Sequence, residues 1–397
     1  MFISYPAGFD RSGAITLFCV FFGCFRRNPV VLCRSNHTNE GSCFRLPSKN
    51  APQRNQSIEF CKFAAALIVV LLHITFPGKA SDVIATIGKV PVPLFFTISG
   101  YFNWQCGRDE VLRKIRKLLR LWLLAWVFAV AVGVAATELN GGSTAAYLKT
   151  YLRLDAEEIA RLLVLHQEPR NAQLWYLLSL VFCDLFLVLY LDFRRETVPD
   201  YRPLYTLGAC QFAVFWLFGC IAAPAGMSVP YLVFFNGYCF GFSFFVFGIF
   251  LHEYQQQILR NLRLTPKKLL LLFAGGVGLS LLQSFTIGSG LLPLGGILEI
   301  PALMLLMIAC PLSPRTGLSR WFLRRCGRWS AYIYVFHVTL IGFYRKVLQA
   351  PLIARLGEPE AWLAPLICLA LSVAAAALYD SASRLLRSMR SVSKDSV

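Results

Sequence analysis

Long apolar runs separated by short charged segments set the rhythm of the chain, at approximately 58–76, 87–103, 118–136, 172–191, 203–223, 231–251, 267–285, 291–312, 329–348 and 361–380. Each is near the ~20 residues that carry a helix across ~30 Å of hydrocarbon. An open strand cannot satisfy its backbone in lipid, so every run is expected to be helical. The pattern predicts an all-α, polytopic membrane bundle of about ten transmembrane helices. The second run is short and contains Pro91 and Pro93, which predicts a broken or tilted segment. Residues 145–165 are expected to form a short helix lying on the surface. Residues 57–383 are assigned to the transmembrane domain. Residues 1–56 read as a poorly ordered N-terminal extension, and 384–397 as a basic cytoplasmic tail. Ala14–Phe25 is apolar but too short to span.

Composition supports this class and closes off others. Apolar residues make up 56% of the chain and charged ones 15%, too few to coat a soluble protein of 397 residues. A net charge of +18 would suit nucleic acid, but the basic residues fall between apolar runs and not on one face with interleaved aromatics. Nucleic acid is therefore excluded as a partner, and membrane lipids are expected. The basic residues crowd alternate loops: Arg108 to Arg120, Arg194 to Arg202, Arg260 to Lys268, Arg315 to Arg328, and Arg384 to Lys394. By the positive-inside rule this predicts a multi-pass protein of the inner (plasma) membrane with both termini cytoplasmic. The thirteen cysteines include no C-x-x-C pair and no Cys/His cluster with zinc spacing, so no metal is expected. They read as small buried hydrophobes.

Several polar groups sit where lipid or core should be. Lys62 and His73 lie in the first run, within about 20° on one helical face and roughly 16 Å apart along the axis. An ionisable group inside a membrane helix is costly and is kept for function or paired for structure. His73 reads either as a histidine bonded to a neighbouring helix or as a neutral imidazole serving as general base. Lys62 either snorkels to the headgroups or faces a shared cavity, and Glu59 one turn earlier is its natural ion partner. Ser99-Gly100 either admits a close helix neighbour or offers a hydroxyl to a substrate or to His73. Gln173, Trp175 and Tyr176 open the fourth run, Asn236-Gly237 falls within the sixth, and Tyr334 and His337 lie in the ninth, with Arg345 beyond. Asp184 and Glu299 look like partners for a cation or a hydroxyl. Arg113, Lys114, Arg116, Lys117 and Arg120 serve either as a topology signal or as a dock for the phosphates of a cytoplasmic donor.

These stretches resemble the membrane-bound acyltransferase-3 family. The resemblance lies in Lys62, ten intervening positions and His73, followed by Val92-Pro93-Leu94-Phe95-Phe96-Thr97-Ile98-Ser99-Gly100-Tyr101. It continues in Arg116-Lys117-Leu118-Leu119-Arg120, Leu174-Trp175-Tyr176-Leu177, Asn236-Gly237, Phe244-Phe245-Val246-Phe247-Gly248 and Ser330 to His337, so that it covers about 57–380. Many relatives have arginine where Lys62 stands, histidine at the place of Gln173 and arginine at that of Phe235. The resemblance implies ten transmembrane helices and transfer of an acyl group, usually acetyl from cytoplasmic acetyl-CoA, to a hydroxyl of an envelope polysaccharide or lipid-linked saccharide. Acyl-CoA is then a co-substrate, with no resident cofactor. His73 is implied to be catalytic, and Lys62 to help bind or orient the donor.

On these grounds His73, Lys62 and Ser99 are the expected catalytic group. Arg113, Lys114, Arg116, Lys117 and Arg120 are expected to bind the donor, and Glu59, Gln173, Trp175, Tyr176, Asn236, Tyr334 and His337 the substrate. The competing expectation is a transporter of a small polar solute such as an amino acid. The membrane half of vancomycin-resistance serine racemases resembles the same family and is associated with serine uptake. This chain carries no racemase-like soluble part. Nothing in the sequence names the acceptor or the oligomeric state.

Overall fold

The computed structural model describes residues 55–395, apart from 154, 169, 195–198, 218–235 and 289–291. The expected N-terminal extension, Phe235 and parts of the fifth and sixth runs lie outside the described residues. Every regular element among the described residues is helical.

The first run forms α1 (Gln56–His73). Asn55 caps it: Oδ1 accepts from the Ser57 and Ile58 amides at 2.9 and 3.4 Å, relieving two of the donors a helix start leaves unpaired. The same residues tie α1 to a distant segment. Asn55 Nδ2 donates to the Met307 carbonyl at 3.0 Å and Ser57 Oγ to that of Cys310 at 2.7 Å. At its other end α1 stops at His73, before Pro77 and a left-handed Gly78.

The second run is broken, as its prolines predict. α2 (Lys79–Ile87) ends at Gly88, and α3 (Pro91–Tyr101) restarts with Pro91 at its first position, where no amide is needed. α4 (Arg108–Leu139) is longer than its apolar run, because the basic stretch forms its first turns. The expected surface helix over 145–165 is two helices, α5 (Thr144–Leu152) and α6 (Ala156–Leu165). Asp155 separates them by starting a capping box with Glu158. A 3-10 turn, Ala172–Leu174, leads into α7 (Trp175–Arg194), followed by α8 (Arg202–Phe215). A π-turn, Gly237–Gly241, feeds α9 (Phe242–Asn261). Then come α10 (Pro266–Thr286), α11 (Gly296–Ala309) and α12 (Gly317–Phe343), the last continued by a π-turn, Tyr344–Leu348. α13 (Gln349–Leu356) precedes α14 (Pro359–Asp395), which runs on through the stretch expected to be a separate basic tail.

Among the described residues, six segments are long and apolar enough to cross a membrane: Gln56–His73, Lys79–Tyr101, Arg108–Leu139, Ala172–Arg194, Pro266–Thr286 and Pro359–Met389. α11 is apolar, but its 14 residues reach only about 21 Å. The first turns of α12 are arginine-rich, and α9 ends in a polar stretch.

α1 packs along α12, α3 on α9, α10 on α11, α4 on α7 and α12 on α14. The α3–α9 contact is the tightest in backbone terms. A methyl group on Gly100 would overlap the Phe245 carbonyl, and one on Gly248 would overlap that of Thr97. Ser99-Gly100 is thus a packing motif, which lets two membrane helices approach backbone to backbone. Gly248→Val should lower stability by about 1–3 kcal/mol through overpacking. The check is the thermal unfolding midpoint of the solubilised protein, with Gly107→Val, which meets nothing within 4 Å, as the control.

Candidate active site

α1 ends on a cavity of about 420 Å3 lined by Leu72, His73, Thr75, Phe76, Ser81, Arg345, Gln349 and Glu360, among others. The His73 side chain is exposed to it as the last residue of the helix. Arg345, in the π-turn that continues α12, donates from Nη2 to the His73 carbonyl at 3.1 Å. A guanidinium there satisfies a terminal carbonyl and suits the negative end of the helix dipole. Glu360, buried at the start of α14, accepts from the Tyr344 hydroxyl.

A second imidazole stands behind the first. The His73 and His337 ring centroids are 5.1 Å apart, inclined at 46°. His337 is fully buried, and its Nδ1 lies 2.6 Å from the Tyr334 carbonyl. A carbonyl only accepts, so Nδ1 carries the proton and Nε2 is left as an acceptor. That Nε2 has no hydrogen-bond partner within the protein.

The other expected substrate residues continue inward from this pair. Tyr334 packs edge-on against Tyr176 and Phe95 at 5.2 and 6.0 Å. Its hydroxyl donates to the Gln173 carbonyl at 2.8 Å, so it is spent there and does not face His73. Gln173 itself is buried, with neither end of its amide partnered. Ser99 donates to the Phe95 carbonyl at 2.8 Å and lies beside the Tyr176 hydroxyl, not beside His73. Trp175 packs on Phe96 and Phe240. One aromatic seam therefore joins most of the expected residues, but only His337 adjoins His73.

Glu59 is the ion partner of Lys62, as its spacing suggests, at 3.1 Å, and packs against Gly327 of α12. Three expectations change. Asn236 caps the π-turn, with Oδ1 accepting from the Tyr238 and Cys239 amides at 2.8 and 3.1 Å. Lys114 turns inward, with Nζ 2.7 Å from the Phe102 carbonyl and 2.9 Å from Asn103 Oδ1, while Asn103 donates to buried Asp184 at 2.9 Å. Arg113, Arg116, Lys117 and Arg120 remain exposed on α4. The face of α1 between Lys62 and His73 is packed, with Ala66, Val69 and Val70 essentially inaccessible, so no open passage joins the two residues. Arg345 and Glu360 were not on the expected list. Arg345 had a signal, since it follows His337 by about two turns, whereas Glu360 reaches the cavity from the separate start of α14.

A family model described as an acyltransferase domain matches residues 55–380. The chain belongs to the acyltransferase-3 family. No curated protein and no solved structure matches it. The family and the apolar helices together make this a membrane acyltransferase-type protein. The first-helix motif falls on His73, the residue that the fold presents to the cavity.

Outside the spans, the segment after α6 is latched to the bundle by His166. Its Nδ1 accepts from the Gly237 amide at 3.2 Å and lies 3.3 Å from Ser179 Oγ, with the ring stacked on Tyr238. Burial lowers its pKa to about 4. A depressed histidine is neutral when docked, so the latch holds above the free value of about 6.5 and weakens as pH falls towards 4. Buried Glu168 is shifted upward and titrates in the opposite sense. The comparison is therefore between wild type and His166→Asn: hydrogen exchange across Ala156–Leu165 should quicken with acid in the former and lose that part of its pH dependence in the latter. A second outcome concerns Lys114. Lys114→Met should cost about 1–3 kcal/mol by leaving the Oδ1 of buried Asn103 unpaired, while Arg116→Ala leaves the unfolding midpoint unchanged.

Proposed function

We propose that the protein is an integral membrane O-acyltransferase of about ten transmembrane helices. It moves an acyl group such as acetyl from cytoplasmic acyl-CoA to a hydroxyl of an envelope polysaccharide or lipid-linked sugar. The observation that carries this reading is the His73 imidazole, facing a cavity at the end of α1 in a chain of the acyltransferase-3 family. The positive-inside rule, applied to the basic loops, supports a Lys62 end and both termini in the cytoplasm and a His73 end at the outer face of the inner membrane.

In this mechanism His73 takes the proton of the acceptor hydroxyl as its oxygen attacks the thioester carbonyl. A new C–O bond forms, the C–S bond breaks, and the proton passes to the departing thiolate. Arg345 stands beside His73 with a charge that can steady the developing oxyanion. The exposed side chains of Arg113, Arg116, Lys117 and Arg120 are the phosphate dock, and Lys114 is left to its structural role. Because Ala66, Val69 and Val70 close the face between Lys62 and His73, donor entry requires α1 and α12 to part along those small side chains.

The same packed face, with a cavity at one end, also suits a transporter caught in one access state, which is the second reading. The test separates the two. His73→Ala should remain folded and lose acyl transfer by about 10²–10⁴-fold, the usual contribution of a general base. The assay is label transfer from acetyl-CoA to an envelope extract. Solute uptake by vesicles without acyl-CoA, or transfer undiminished in His73→Ala, would overturn the proposal.

A further inference from the structure

A second cavity, of about 530 Å3, runs along the opposite side of α1. Its walls come from α1, the α2–α3 break, α10 and α11, and include Ala64, Ile68, Leu94, Val277, Leu303 and Met307. From Ser57 to Ile68 the trough follows α1 for about 16 Å. Almost everything facing it is hydrocarbon. Ser57, at the cytoplasmic end, is spent on the Cys310 carbonyl and the Leu312 amide. Glu299, in the first turn of α11 towards the other end, accepts from the Ser280 hydroxyl.

The trough ends close to the His73 cavity. Ile68 lines the trough and Leu72 lines the His73 cavity, and the two are one turn apart on the same face, about 6 Å. Ser81 and Ile87 of α2 divide in the same way, Ser81 to the polar cavity and Ile87 to the trough, about 9 Å apart along that helix. An elongated apolar slot thus ends beside a compact polar one. α1 and α10 both qualify as membrane spans, so what reaches the slot comes from the bilayer. A peptide strand would bring backbone groups that these walls cannot satisfy. A molecule with a hydrocarbon chain and a polar head matches both parts.

We propose that the trough holds the hydrocarbon chain of a membrane-embedded acceptor whose hydroxyl-bearing head lies in the His73 cavity; this deepens the acyltransferase reading and rests on it. The acceptor is then a lipid-linked polyol and not a free polymer. The chain fixes the head at His73, and its transfer free energy supplies affinity that the small polar cavity lacks.

The probe is a long-chain alkyl glucoside carrying a diazirine near the end of its chain. It is irradiated with the purified full-length protein in nanodiscs of phosphatidylethanolamine and phosphatidylglycerol. Label should concentrate between Ala64 and Ile68 and between Leu303 and Met307. Leu303→Trp and Val277→Trp, which fill the trough from two walls, should each reduce it about tenfold, equivalent to 1.4 kcal/mol of binding. Both variants should raise KM for the glucoside by a similar factor, and a thermal unfolding midpoint matching that of wild type shows that they are folded. Label spread evenly over lipid-facing side chains such as Leu271 and Leu378, or labelling indifferent to both tryptophans, overturns the chain site. Trough labelling in a protein that transfers nothing would support the chain site and remove the transferase reading. Even labelling in an active enzyme would remove the chain site alone.

Discussion

The seam between α1 and α12 is the contact on which the site depends. His73 belongs to one helix, and His337 and Arg345 to the other and its continuation, so the three meet only while the helices stay in register. Two devices hold that register. At the N-terminal end of α1, Asn55 and Ser57 fasten it to the end of α11, just before α12 begins. At the other end Arg345 grips the last carbonyl of α1. Between them the apposed residues of α1 are small or β-branched and almost wholly inaccessible. The π-turn at Tyr344–Leu348 adds to this: one wider turn changes the direction in which Arg345 leaves the helix, and such turns often mark functional positions.

Polar groups in such a bundle are expensive, and most here are committed to each other. Lys114 holds Asn103, which holds Asp184; Ser280 meets Glu299; Tyr344 meets Glu360; and Asp380 takes both Arg328 and Arg384. Each pairing removes a desolvation cost that a lone group would impose. Against that background the uncommitted groups stand out. His73 faces a cavity, and Nε2 of His337 is buried with no partner. Gln173, further along the same aromatic seam, is likewise buried with its amide unpartnered, so unspent hydrogen-bonding capacity gathers around His337, which is the pattern expected of groups kept for chemistry.

The spans were legible where hydrophobicity alone decides them, as in Gln56–His73 and Ala172–Arg194. The break at Gly88–Val90 was legible from its prolines, because a missing amide and a fixed φ act locally. Lys62 and His73 were placed on one face correctly, since helical geometry needs only their spacing. What that face meets was not readable. Ala66, Val69 and Val70 look alike in sequence whether they line a passage or a packed seam. Nor was the capping role of Asn236 distinguishable from a binding role, because both use the same amide. Glu360 was missed because it enters the cavity from the start of α14, and no local pattern ties that helix to His73.

The two routes to His73 run on opposite sides of one helix. Lys62 and His73 share a face of α1, while Ser57, Ala64 and Ile68, which line the apolar trough, centre roughly 140° away. α1 is therefore a wall between the path assigned to a thioester donor and that assigned to a hydrocarbon-bearing acceptor. On the proposed reading such a wall keeps the acyl-CoA donor and the membrane-embedded acceptor apart along its length, with the donor side packed against α12. Only where the helix ends can the reactants meet, and its last residue is the histidine. Had the imidazole lain a turn earlier, it would have been buried against α12 beside Val69 and Val70 and reachable by neither. On the proposed reading the position of the helix terminus, set by Pro77, Gly78 and the Arg345 cap, is itself part of the catalytic arrangement.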